Sequence, residues 1–181
     1  AIALSLLLAT TILLRIGWEE TTVLNGMFKL DKFSGYLKFM ILCGLIASLA
    51  LSVRYLKYEG MVRFEYPVLV AMAGVGMLLM VSANHMLSLY MALELQSLSL
   101  YVLAAFHRNS AKSSEAGAKY FILGALSSGM LLFGISLIYG FTGSLSFPVI
   151  GETLQNLETV PLGVTFGLVF ILAGMAFKIS A

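Results

Sequence analysis

Asn84–Phe106 reads NHMLSLYMALELQSLSLYVLAAF. It holds one carboxylate, Glu94, and no Lys or Arg. A helix needs about 20 mainly apolar residues to cross a bilayer core, and this stretch is long enough. Glu94 lies about ten residues from either end, so roughly 15 Å of helix rise separates it from each surface. A charge at that depth costs at least about 2.5–3.5 kcal/mol on insertion scales, so such a residue faces the protein interior and a partner. Lys178 repeats the anomaly, because it follows the apolar run Val164–Phe177. A buried acid and a buried base together point to an ion or proton pathway.

The rest of the chain fits this environment. Sixty per cent of its 181 residues are apolar and 11% are charged, with a mean hydropathy of +0.96. Soluble domains carry about 25% charged residues. The fold class expected is therefore all-α, a polytopic transmembrane helical bundle treated as one domain over residues 1–181. The net charge of +2 comes without a basic cluster, which argues against a nucleic-acid partner; membrane lipid is the implied surrounding. Cys43 is the lone cysteine, so no internal disulfide can form, and no Cys/His group has metal-ligand spacing. Its place in an apolar run predicts a buried, inert thiol. No P-loop, Rossmann glycine pattern or nucleophile triad is present.

Six apolar segments are readable: Ala1–Ile16, about Gly35–Tyr55, about Tyr66–Ala83, Asn84–Phe106, about Ala118–Phe141, and one starting near Pro161. Pro67 suits a first-turn position, where its missing N–H costs nothing. The opening AIALSLLLATTILLR lacks an initiator Met and a basic leader, so it reads as a membrane helix already in progress rather than a signal peptide. From Pro161 to Lys178 there are only about 17 residues, short of a full span. Both ends suggest a piece of a longer protein. The links around 55–65 and 107–117 hold or adjoin Arg54, Lys57, Arg63, Arg108 and Lys112, against Arg15, Lys29, Lys32 and Lys38 in or beside the other links. The positive-inside rule assigns those two links to the cytoplasmic or matrix side.

Gly124, Gly129 and Gly134, with Ser127 and Ser128, punctuate the fifth segment, and Gly163, Gly167 and Gly174 the sixth. Small residues let membrane helices approach closely; room for water near Lys178 is the alternative use. On a helix, Tyr90, Glu94, Ser97 and Tyr101 fall on one face. That stripe gives the carboxylate hydroxyl neighbours on both sides, for a water file or for a structural interhelical hydrogen bond. Gln96 points elsewhere and suits an interhelical hydrogen bond. Lys178 is either the partner of Glu94, with a proton affinity that burial readily tunes, or a residue snorkelling from a helix end. Lys119 has Glu115 one turn before it, the spacing of a surface ion pair; a proton relay to the inside surface is the other reading. His85, at a short turn, reads as solvated. Trp18 and Tyr66 read as interfacial anchors.

The runs SANHMLSLYMALELQSLSLYVLAAF, EAGAKYFILGALSSGMLLFGISLIYGFTGSLSF and AGMAFKISA resemble the subunit N family of bacterial proton-pumping NADH:quinone oxidoreductase, equivalent to NADH dehydrogenase subunit 2 of mitochondrial complex I. The segment RFEYPVLVAMAGVGMLLMVSAN is similar too. The resemblance implies an antiporter-like, inverted-repeat membrane subunit of which this chain supplies the second to seventh helices. It places the family's proton-channel glutamate on Glu94, its broken-helix lysine on Lys178 and a further lysine on Lys119. It implies translocase activity shared with the complex and no redox cofactor in this chain. Flavin, iron–sulfur clusters, NADH and quinone would sit on partner subunits in the bacterial inner, or mitochondrial inner, membrane. A subunit of a multisubunit Na⁺/H⁺ antiporter or membrane-bound hydrogenase is the nearest alternative; a non-transporting membrane scaffold is a different one.

Overall fold

The structure is a computed structural model that describes residues 5–6, 8–10, 12, 20–156 and 159–179. The described residues between 5 and 12 are helical. Most of the first apolar segment, with Arg15, Trp18, Glu19 and Glu158, lies outside the described residues.

Six helices follow: α1 (Lys32–Tyr58), α2 (Glu65–Ser82), α3 (Met86–Ala104), α4 (Ala111–Thr142), α5 (Phe147–Gln155) and α6 (Leu162–Lys178). The first four are long and apolar enough to cross a membrane, and α6 is a shorter apolar helix. Pro67 falls in the first turn of α2, as its geometry requires. Pro161 immediately precedes α6.

Two links hold more structure than expected. The stretch 17–34 contains a hairpin, β1 (Thr21–Val23) paired with β2 (Phe28–Leu30). Its turn takes Leu24, Asn25 and Gly26 through positive φ, a conformation Asn and Gly tolerate and Leu does not favour. The stretch 142–160 contains α5, an amphipathic helix with Pro148 in its first turn. Its Ile150 packs with Ile138 of α4 and Val164 of α6.

The fifth segment starts at Ala111, seven residues before the expected Ala118. Ser110 caps it, its hydroxyl accepting from the Ser113 backbone N–H, and the following Ala, Lys and Glu are good helix formers. Hydropathy marked where the helix turns apolar, while capping marks where it begins. Gly143 closes α4 in the left-handed conformation at φ 67°, the usual glycine C-terminal stop. Asp31 caps α1, accepting from the Ser34 N–H at 2.7 Å, and this bond holds its carboxyl below the usual range.

The links alternate ends, as a polytopic bundle demands. At one end the hairpin is tied to the α2–α3 turn: Asn84 N–H donates to the Met27 carbonyl at 2.9 Å and its side chain to the Gly26 carbonyl at 3.0 Å. The same turn bridges His85 to Ser146. At the other end, Tyr66 meets Phe106 edge-on at 5.4 Å, and the Ser113 hydroxyl donates to the Ala104 carbonyl.

Close packing sets the helix spacing. A Cβ on Gly76 of α2 would lie 2.7 Å from the Gln96 nitrogen of α3. A Cβ on Gly134 of α4 would lie 2.7 Å from the Gly167 carbonyl of α6. Gly129 faces open space, so it is no contact glycine. Gln96 thus joins α2 to α3 through its backbone, and among the described residues its side chain has no hydrogen-bond partner. Cys43 is exposed, not buried. It follows the fully buried Leu42 by one residue, and the 100° step turns it to the outer face of α1.

Candidate functional site

Three helices converge on one polar cluster. Glu94 and Ser97 come from α3, Ser128 from α4 and Lys178 from the last turn of α6. The Lys178 ammonium donates to Glu94 Oε1 at 3.0 Å, to Ser97 Oγ at 2.8 Å and to Ser128 Oγ at 3.0 Å. Ser128 in turn donates to the same Glu94 Oε1 at 2.5 Å. The ammonium therefore spends all three protons on protein oxygens. The side chains are 10% exposed for Lys178 and 20% for Glu94, and both serines are buried.

Energy explains the arrangement. Removing either ion from water costs several kcal/mol, and breaking a buried pair by deleting one partner costs about 3–5 kcal/mol. Mutual attraction and charge-assisted hydrogen bonds offset that cost. The spacing of Glu94 and Ser97 by three residues on one helical face lets both reach the same ammonium. Lys178 reaches them because α6 lies against α4: a Cβ on Gly174, one turn before it, would come within 2.9 Å of Leu131 Cβ and of the Ser127 carbonyl.

The structure thus joins Glu94 to Lys178 as ion-pair partners, which removes the snorkelling alternative for Lys178. Of the expected hydroxyl stripe, Ser97 serves the lysine. Tyr101 is buried and packs edge-on against Tyr120, with ring centroids 4.6 Å apart. The hydroxyl on the carboxylate is Ser128, which the sequence marks only as one of the small residues of the fifth segment.

Lys119 is elsewhere. Its ammonium pairs with Glu115 at 2.5 Å, both side chains largely exposed at 71% and 62%. Glu115 and Lys119 lie inside α4, not at its start. His85 is not simply solvated: its Nδ1 is buried without a hydrogen-bond partner among the described residues, as are the hydroxyls of Ser82 and Ser88. Beside the cluster, toward the hairpin end, lies a cavity of about 270 Å³ lined by Met86, Tyr90, Leu131, Ile135, Ile171 and Met175, among others. Its lining is apolar save for Tyr90. Among the described residues no group of three or more His, Cys, Asp or Glu could hold a metal ion.

The fold and site define a polytopic helical membrane protein that encloses a carboxylate–ammonium pair between three helices. Residues 83–181 match the family model described as NADH:quinone oxidoreductase/Mrp antiporter, TM. That match covers more than half of the chain, and the chain belongs to this family.

It is 58% identical over 157 residues to NADH-quinone oxidoreductase subunit N of Parvibaculum lavamentivorans, covering 87% of this chain and 32% of the relative. To the Bartonella bacilliformis protein of the same name it is 54% identical over 180 residues, covering 99% of this chain and 37% of the relative. The chain therefore spans about a third of the length of the curated relatives it matches. Among solved structures, a chain of respiratory complex I from Thermus thermophilus, determined with bound aureothin, superposes with a TM-score of 0.77 at 32% identity, covering 98% of this chain and 37% of that one. A chain of the archaeal membrane-bound sulfane sulfur reductase gives the same TM-score at 23% identity, covering 97% of this chain and 38% of that one, which shows a shared fold.

Proposed function

We propose that this chain is part of a proton-translocating membrane subunit of respiratory NADH:quinone oxidoreductase in the bacterial inner membrane. The observation that carries the reading is the Glu94–Lys178 pair, 3.0 Å apart and wrapped by two serines inside an apolar bundle. A structural ion pair would be better replaced by apolar side chains in such a setting; a pair that must change protonation would not. Relatives named NADH-quinone oxidoreductase subunit N, at 47–58% identity, supply the context.

In this reading Lys178 holds a proton while Glu94 is ionised, each favouring the other's charged form. A change of field or hydration that separates them lowers the lysine's hold on its proton and sends it onward. Glu94 then accepts the next proton and passes it to the neutral lysine as the pair re-forms. Lys119 is the inside-surface relay of the same pathway: its ammonium leaves Glu115, releases one proton into the pathway and takes up another from the inside surface. NADH, flavin, iron–sulfur clusters and quinone belong to partner subunits, as do the electron-transfer steps. Other membrane subunits of the complex pack against this one.

The test is Glu94→Gln, which keeps size and hydrogen bonding and removes titration. In the complete complex, proton uptake into inverted vesicles on NADH addition is expected to fall sharply while native gels show normal assembly. Wild-type pumping by an assembled variant would remove Glu94 from the pathway and leave the scaffold reading.

A further inference from the structure

We propose that Ser128 is the bridge through which Lys178 and Glu94 exchange a proton; this rests on the proton-pathway reading above. Ser128 Oγ is within hydrogen-bond reach of both charged groups, 2.5 Å from Glu94 Oε1 and 3.0 Å from Lys178 Nζ. The ammonium has no acceptor site, so it must donate to Ser128, and the single hydroxyl hydrogen of Ser128 is thereby directed to the carboxylate. The three groups form a donor chain with one sense: Lys178 to Ser128 to Glu94.

That chain can pass a proton without moving a heavy atom. One Nζ–H bond of Lys178 breaks as a new Oγ–H bond forms on Ser128. The original Oγ–H bond breaks as Oε1–H forms on Glu94. The result is a neutral amine, an unchanged serine and a neutral carboxylic acid, with the total charge zero before and after. Running the steps backwards restores the ion pair.

The direct Lys178–Glu94 contact at 3.0 Å is a competing route, but it depends on a long side chain at a helix end staying in place. Ser128 does not move that way. It sits in the middle of α4, inside the Ser127–Leu131 turn, from which a Cβ on Gly174 of α6 would be only 2.9 Å away. Its short side chain is buried. Ser128 therefore stays on the carboxylate when the lysine moves, and the chain closes whenever the ammonium comes within reach of the hydroxyl.

Two neighbours isolate the role. Ser97 touches Lys178 but makes no hydrogen bond to Glu94 among the described residues. Ser127, one residue along α4 and equally buried, turns its hydroxyl back to the Gly124 carbonyl at 2.8 Å. Ser127→Ala therefore removes a buried hydroxyl from the same turn without touching the pair.

The experiment uses the complete complex carrying Ser128→Ala, Ser128→Thr, Ser127→Ala or Glu94→Gln. NADH-driven pumping is read in inverted vesicles, and the carboxylate stretch of Glu94, identified as the infrared band lost in Glu94→Gln, is read in the purified complex. The expected result is a roughly ten-fold loss of pumping in Ser128→Ala, the scale set by one charge-assisted hydrogen bond. Ser128→Thr should restore it, Ser127→Ala should leave it unchanged, and the Glu94 band should shift in Ser128→Ala alone. Should Ser128→Ala not assemble, Ser128→Cys, of similar size and with a weaker donor, carries the same comparison. Wild-type pumping in Ser128→Ala while Glu94→Gln is inactive would overturn the bridge and leave the proton pathway standing. Loss in Ser128→Thr as severe as in Ser128→Ala would also overturn it, since packing would then explain both. Wild-type pumping in Glu94→Gln would instead overturn the pathway, and the bridge with it.

Discussion

Gly174 packs onto the backbone of Ser127 so closely that an added Cβ would lie 2.9 Å from the Ser127 carbonyl oxygen. This contact sits one turn from Lys178 on one helix and one residue from Ser128 on the other. It helps set the separation of Lys178 and Ser128, which lie 3.0 Å apart. Gly174→Val should therefore push α6 from α4, costing about 1–3 kcal/mol in overpacking, and should abolish pumping even with Glu94 and Lys178 intact. Thermal inactivation of the complex and vesicle pumping measure the two effects; pumping that survives would mean the cluster tolerates a wider helix separation.

Glu94 and Lys178 should fail to add. Lys178→Met or Glu94→Gln alone leaves an unpaired or poorly paired group in the cluster, a loss of about 3–5 kcal/mol for a buried pair. The double variant removes both charges and should be less destabilised than the sum, by about 1–3 kcal/mol. Thermal stability of the four forms of the assembled complex closes the cycle. Strict additivity would mean that the two groups contribute independently.

Lys112 stands in the first turn of α4 and Lys119 two turns further in. The Glu115–Lys119 pair is exposed, and such a pair is worth about 0.3–0.5 kcal/mol, so neither Lys119→Ala nor Lys112→Ala should measurably change stability. If Lys119 is a relay, Lys119→Ala should lower NADH-driven pumping several-fold more than Lys112→Ala. Equal rates would leave Lys119 as a surface ion pair.

Asn84 fastens the hairpin to the α2–α3 turn through its side-chain bond to the Gly26 carbonyl. Asn84→Ala should loosen residues 20–30 at a cost of about 1 kcal/mol, seen as faster protease cleavage within the hairpin. Pumping should be little affected, because Glu94 lies nearly three turns away along α3. Unchanged cleavage would mean that the backbone bond from Asn84 to Met27 suffices.

The sequence by itself determined the class of the molecule and the depth of its key residues. Hydropathy over 84–106 marks a span, and a single carboxylate in its middle demands a partner, because the cost of an isolated charge there is physical and local. It also offered a candidate partner, Lys178 at the end of an apolar run, without deciding between pairing and snorkelling; the contact at 3.0 Å decided it. Capping chemistry is just as local: Ser110 marks where α4 begins, while hydropathy marks only where it turns apolar, seven residues later. Asn25–Gly26 is equally local in kind: the pair turns the chain between β1 and β2.

What only the tertiary structure decided was contact between helices. Ser97 and Ser128 are both small hydroxyls in apolar helices, and nothing within either helix says which ion each will meet. That depends on the rotation and spacing of α3, α4 and α6, set by glycines such as Gly134, Gly167 and Gly174 packing against backbone on a neighbouring helix. The outward turn of Cys43 and the buried Nδ1 of His85 have the same origin. Burial of a side chain is a property of the surface its helix finds, and residues far apart in the chain supply that surface.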